Sequence, residues 1–147
     1  MKWSLRSDIV IKTKHLPMKL KENFLTVLVT AIIITLSTIP IPEEAPMSDV
    51  PLIDKWVHML MYMGLVFVMW FDHVARNKRV AKRKHFLFMF LYATLLGGLM
   101  ELVQAYLTTC RSGDWVDFEA DAIGAAIGVG LSLLVNKIWE ERISAQN

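Results

Sequence analysis

Apolar positions fall into four long runs separated by short polar stretches. Phe24 to Ile39 carries no charge and would extend roughly 24 Å as a helix. Leu52 to Val74 gathers Asp54, Lys55 and His58 in its first two turns, with an apolar run behind them. Phe86 to Leu107 would extend roughly 33 Å and holds one carboxylate, Glu101. Asp117 to Trp139 is polar at its start and continuously apolar from Ala122 to Val135. Pro40, Pro42, Pro46 and Pro51 punctuate the stretch between the first two runs, as expected where one helix ends and another restarts. The pattern predicts helical spans over about 24–39, 52–74, 86–107 and 117–139. Basic residues followed by an apolar run also outline a signal peptide. No A-x-A-like site follows Ile39, only Ile-Pro-Ile-Pro-Glu-Glu-Ala-Pro, so the first run is read as a retained span.

Composition supports lipid as the solvent. Of 147 residues, 54% are apolar and 20% charged, and the mean hydropathy is +0.41. A soluble fold of this size leaves too much of its surface in water to hide that much apolar side chain. Disorder is excluded by the same figures. The expected architecture is all-α: a single domain over 1–147 forming an integral membrane bundle of four transmembrane helices.

Charge then orients the bundle. Lys2, Arg6, Lys12, Lys14, Lys19 and Lys21 precede the first span, and Arg76, Lys78, Arg79, Lys82, Arg83 and Lys84 lie between the second and third. The stretch after the first span carries Glu43, Glu44 and Asp49 without a basic residue, and the stretch after the third carries only Arg111. Lys and Arg accumulate on the cytoplasmic side, so both termini are expected there, in a multi-pass protein of the bacterial cytoplasmic (inner) membrane. The basic loop reads as a topology signal and a contact for anionic lipid, not as a nucleic-acid site. Trp3, Leu5, Ile9, Val10 and Ile11 suggest an interfacial helix ahead of the first span. Trp56, Trp115 and Trp139 fit interfacial belts, and His73 and His85, flanking the basic loop, are expected in solvent. Cys110, the one cysteine, has no partner within the chain.

With this orientation, the ionisable groups of three spans arrive at one level, near the outer surface. Asp54, His58 and Tyr62 recur at i, i+4, i+8 and form one stripe. Thr94, Gly97, Gly98, Glu101, Gln104 and Ala105 share a face of the third span. Asp117, Asp121, Gly124 and Gly128 line up on the fourth, where Gly124 and Gly128 make a small-xxx-small step for close helix packing. The bland reading is mutual satisfaction: Arg111 with Asp114 or Asp117, Lys55 with Glu101, His58 with a carboxylate. Against it, five carboxylates (Asp54, Glu101, Asp114, Asp117, Asp121) stand against two fixed cations (Lys55, Arg111). Such an excess calls for shifted protonation, a bound cation or a site open to water.

The residues Asp54-Lys55-Trp56-Val57-His58 with Tyr62, then Glu101-Leu102-Val103-Gln104, then Arg111 with Asp117, Asp121, Gly124 and Gly128, resemble the VanZ-like membrane protein family over roughly 53–129. Asp121 departs from the asparagine common there, and a carboxylate cannot donate as an amide does. The resemblance implies a bacterial cell-envelope protein of a family whose name-giving member is associated with glycopeptide resistance. It brings no settled reaction.

Two functions are therefore expected. In the first, the outer pocket binds a lipid head group or cell-wall precursor, such as a prenyl-phosphate lipid. Lys55 and Arg111 would pair with an anionic group, Glu101, Gln104 and Tyr62 would orient it, and Asp54, Asp114 and Asp117 would hold the cations; Asp121 completes the pocket. In the second, a membrane-embedded hydrolase or transferase uses His58 as general base, oriented by Asp54 or Glu101, with carboxylates holding a divalent cation. No nucleophile elbow, H-E-x-x-H or P-loop is present to support the second. The glycine-lined faces suit contacts within one bundle or between two copies, so a homo-oligomer is a further expectation.

Overall fold

The computed structural model describes residues 23–39, 51–108 and 113–145. These contain four helices and no strand: α1 (Phe24–Thr38), α2 (Ile53–Asn77), α3 (Arg83–Leu107) and α4 (Trp115–Ser144). The last three are long and apolar enough to cross a membrane. At 15 residues, α1 is apolar but extends only roughly 22 Å, less than the roughly 30 Å hydrocarbon layer. The interfacial helix expected around Trp3 to Ile11 lies outside the described residues.

The three long helices extend beyond the apolar runs. The α2 helix continues past Val74 to Asn77, α3 starts at Arg83 rather than Phe86, and α4 runs from Trp115 to Ser144. An apolar window marks where a helix could meet lipid. The hydrogen-bond ladder stops elsewhere, because charged residues at a helix end are good helix formers; Arg76 in the last turn of α2 also complements the negative end of the helix dipole.

The helices alternate in direction. The start of α1 meets the end of α2, where Asp72 accepts from both the Thr26 backbone N–H and its hydroxyl, each at 2.8 Å. The ends of α1 and α3 meet where the Gln104 amide donates to the Ser37 carbonyl at 2.9 Å. The most extensive interface is between α2 and α4, which run side by side from the same end. Gly124 lies directly on the Met59 backbone, and a Cβ on Gly128 would stand 2.7 Å from the Met63 carbonyl oxygen. The two glycines therefore set how closely these helices approach.

The core lies along this seam. Tyr62, Leu65, Val66, Ala93 and Ala125 are fully buried, with Met69, Trp70 and Met89 close behind. Apolar side chains also cover the outside, including Leu60, Phe88, Leu95, Leu99 and Leu134, all more than half exposed. Soluble monomers rarely carry so continuous an apolar surface, and a bilayer accommodates it.

The far end is tied by polar contacts. Asn136 of α4 accepts from the Trp70 indole (3.1 Å) and the Ala81 N–H (2.8 Å), and donates to the Ala81 carbonyl (3.3 Å). One amide thus joins α2, the 78–82 connection and α4. His73 and His85 are not in solvent as expected. Both are half-buried, their ring centroids 4.2 Å apart with the planes tilted by 42°, and His85 Nδ1 accepts from the Lys82 N–H at the start of α3.

Candidate functional site

The polar residues converge at the end where α2 and α4 begin and α3 stops. Asp114 initiates α4, its side chain accepting from the Val116 N–H at 2.9 Å. This satisfies one of the free donors of the first turn. The next turns of α4 then carry Asp117 and Asp121 inward, both buried. From α2 come Asp54 at the rim, Lys55 beside it, and the buried His58 and Tyr62 one and two turns deeper. From α3 comes the buried Glu101, which accepts from the Asp114 N–H at 2.7 Å and so binds the end of α3 to the start of α4.

Lys55 does not pair with Glu101. Its ammonium contacts three carboxylates, Asp54 at 2.8 Å, Asp114 at 2.7 Å and Asp117 at 2.7 Å. Two of these contacts, to Asp54 and Asp114, are hydrogen bonds, and the third, to Asp117, is an ion pair. Lys55 thus joins α2 to the start of α4 through carboxylates of both. Its charge holds the Asp114 carboxyl below the usual carboxylate range, helped by the Val116 N–H. Asp114 therefore stays ionised at neutral pH, and its contribution to this junction is lost only as pH falls through that lowered value.

His58 pairs with neither Asp54 nor Glu101. Its Nδ1 lies 2.9 Å from Asp121 Oδ1, inside the bundle. Asp54 sits a full turn closer to the surface and is committed to Lys55. The second oxygen of Asp121 rests against α3 at Gly97, where a Cβ would come within 2.7 Å of it. Gly97 is what lets a carboxylate from α4 enter between α3 and α2.

Gln104 also departs from its expected role. It is buried, but its amide reaches α1 at Ser37. Position 104 lies about 60° around the helix from 101, enough to face a different neighbour. Arg111 and Cys110 lie outside the described residues. Of the expected set, His58, Tyr62, Glu101 and Asp121 form an inner group, while Asp54, Lys55, Asp114 and Asp117 form an outer ion-pair cluster.

The inner group is short of partners. Tyr62 Oη, Glu101 Oε1 and Asp121 Oδ2 are buried and bond to nothing among the described residues. One ligand atom each from His58, Glu101 and Asp121 can be chosen so that all lie within 4.8 Å of one another. A group of one imidazole and two carboxylates at that spacing can hold a cation or share protons.

Beside this group, a groove of about 500 Å³ runs between α3 and the start of α4. Leu95, Leu99, Leu102, Tyr106, Trp115 and Phe118 form its walls, and Glu101 and Asp114 its polar edge. No family model, curated protein or solved structure matches the chain.

Sequence reasoning passed over Asp72 and Asn136. A carboxylate and an amide near the ends of otherwise apolar runs were the available signal. Both are buried and both tie helices at the far end from the site.

Proposed function

We propose that the chain is a four-span protein of the bacterial cytoplasmic membrane, related to the VanZ-like family, that binds a lipid-linked cell-wall precursor at its outer face. In this reading α1 crosses with the help of its flanking residues, and the basic 78–84 stretch and both termini face the cytoplasm. The groove carries the reading: apolar walls that suit a prenyl chain lead to a polar edge at Glu101 and Asp114. Because Lys55 is held by three carboxylates, the described residues of the site offer acceptors more than cations. That favours a head group rich in hydroxyl and amide donors over a bare phosphate.

Native mass spectrometry in mild detergent tests this with a polyprenyl-linked precursor against polyprenyl phosphate. The wild type should retain the precursor. Gly98→Leu, which fills the groove wall, should lose it while keeping its helical circular dichroism. Equal retention by the two proteins would sink the proposal. A second reading, a membrane-embedded hydrolase or transferase, draws support from the His58–Asp121 pair, since a carboxylate that orients an imidazole suits a general base. Turnover of such a substrate by the wild type, absent in folded His58→Gln, would favour it.

A further inference from the structure

We infer that His58, Glu101 and Asp121 form a binding site for one divalent transition-metal ion, Mn²⁺ or Zn²⁺, where α2, α3 and α4 meet. The inference rests on three observations and not on the lipid reading above. First, ligand atoms from three separate helices already lie within 4.8 Å of one another. Metal bonds to nitrogen and oxygen are roughly 2.0–2.2 Å, which places donors on one ion roughly 3–4 Å apart, so only a small contraction is needed. Second, Glu101 Oε1 and Asp121 Oδ2 have no partner among the described residues, although Asp121 is fully buried and Glu101 is 7% exposed. Buried charges are ordinarily paired or bound to metal, and nothing described serves these two oxygens. Third, the charges balance. Two carboxylates and a neutral imidazole carry −2, which a divalent ion cancels.

The donor set suits the ion. Imidazole favours Zn²⁺ and similar metals, carboxylates extend the range to Mn²⁺, and one nitrogen with two oxygens leaves positions open for water or ligand. The Tyr62 hydroxyl, buried and also without a partner among the described residues, lies one turn deeper than His58 on the same face of α2. Glu101 keeps its other oxygen on the Asp114 N–H, which fixes its orientation as supporting hydrogen bonds do for metal-binding carboxylates. The ion-pair cluster around Lys55 lies nearer the surface and is a different site.

Full-length protein in mild detergent is stripped with EDTA, desalted, and titrated separately with Mn²⁺ and Zn²⁺ without added lipid. One ion per chain is expected by elemental analysis, with a rise in the thermal midpoint. Glu101→Gln and Asp121→Asn should each weaken binding at least about tenfold. Glu140→Gln, an exposed carboxylate in the last turns of α4, should bind as the wild type does. X-ray absorption on the loaded protein should show imidazole nitrogen with oxygen neighbours. A folded, stripped wild type that takes up neither ion would overturn the inference in favour of a shared proton. So would equal affinity in Glu101→Gln and Glu140→Gln, or loaded metal without an imidazole neighbour. If Asp121→Asn fails to fold, Glu101→Gln and the absorption spectrum still decide. Because no lipid is present, precursor binding can fail without touching this result.

Discussion

Asp72 shows how much one side chain can contribute away from the functional end. It takes both the N–H and the hydroxyl of Thr26, so a residue late in α2 caps the first turn of α1. Removing it should leave these donors unpaired and loosen α1 first. Asp72→Ala is expected to cost about 1–2 kcal/mol, read as a lower thermal midpoint in detergent and faster proteolysis near residue 23. Unchanged midpoint and cleavage would show that α1 is held by its apolar contacts alone. Residue identity made the inner site's chemistry legible: His58, Glu101 and Asp121 are conspicuous in apolar runs. It did not reveal their pairings. Spacing placed Asp54, His58 and Tyr62 on one stripe, yet the His58 partner comes from α4, and only the close approach at Gly97 admits it.

At the scale of elements, the glycines of α4 are not equivalent. Gly124 and Gly128 lie against α2, while a Cβ on Gly130 would meet nothing within 4 Å. Gly124→Ala should push α2 and α4 apart at a cost of about 1–3 kcal/mol, as overpacking does. Gly130→Ala should be neutral or stabilise by up to about 1 kcal/mol through helix propensity. Thermal unfolding of both variants decides, and a reversed order would mean that the α2–α4 seam is not where the bundle is tightest. The small-xxx-small step was legible as a contact surface. Which helix it contacts was not, because spacing gives the face of a helix and not its neighbour.

For the molecule as a whole, the alternating helices put residues 54–58, 101 and 114–121 at one end and residues 72–85 and 136 at the other. The proposed orientation places the first end outside. In a Cys110→Ser background, Trp115→Cys should react with a membrane-impermeant maleimide on intact cells, while Arg79→Cys should react only after lysis. The opposite labelling pattern would reverse the orientation and move the polar groove to the cytoplasm.

The sequence by itself determined that the chain is helical and rich in apolar surface, and which end of each long helix is polar. Hydropathy and helical period are properties of a single segment, and they survive without knowledge of its neighbours. Tertiary structure decided the partners. Lys55 could have met Glu101, and instead it contacts three carboxylates from α2 and the start of α4. Gln104 could have joined the pocket, and instead it reaches α1. Those outcomes depend on which helices lie together and at what separation, set here by glycine contacts between α2, α3 and α4 that no one segment encodes alone.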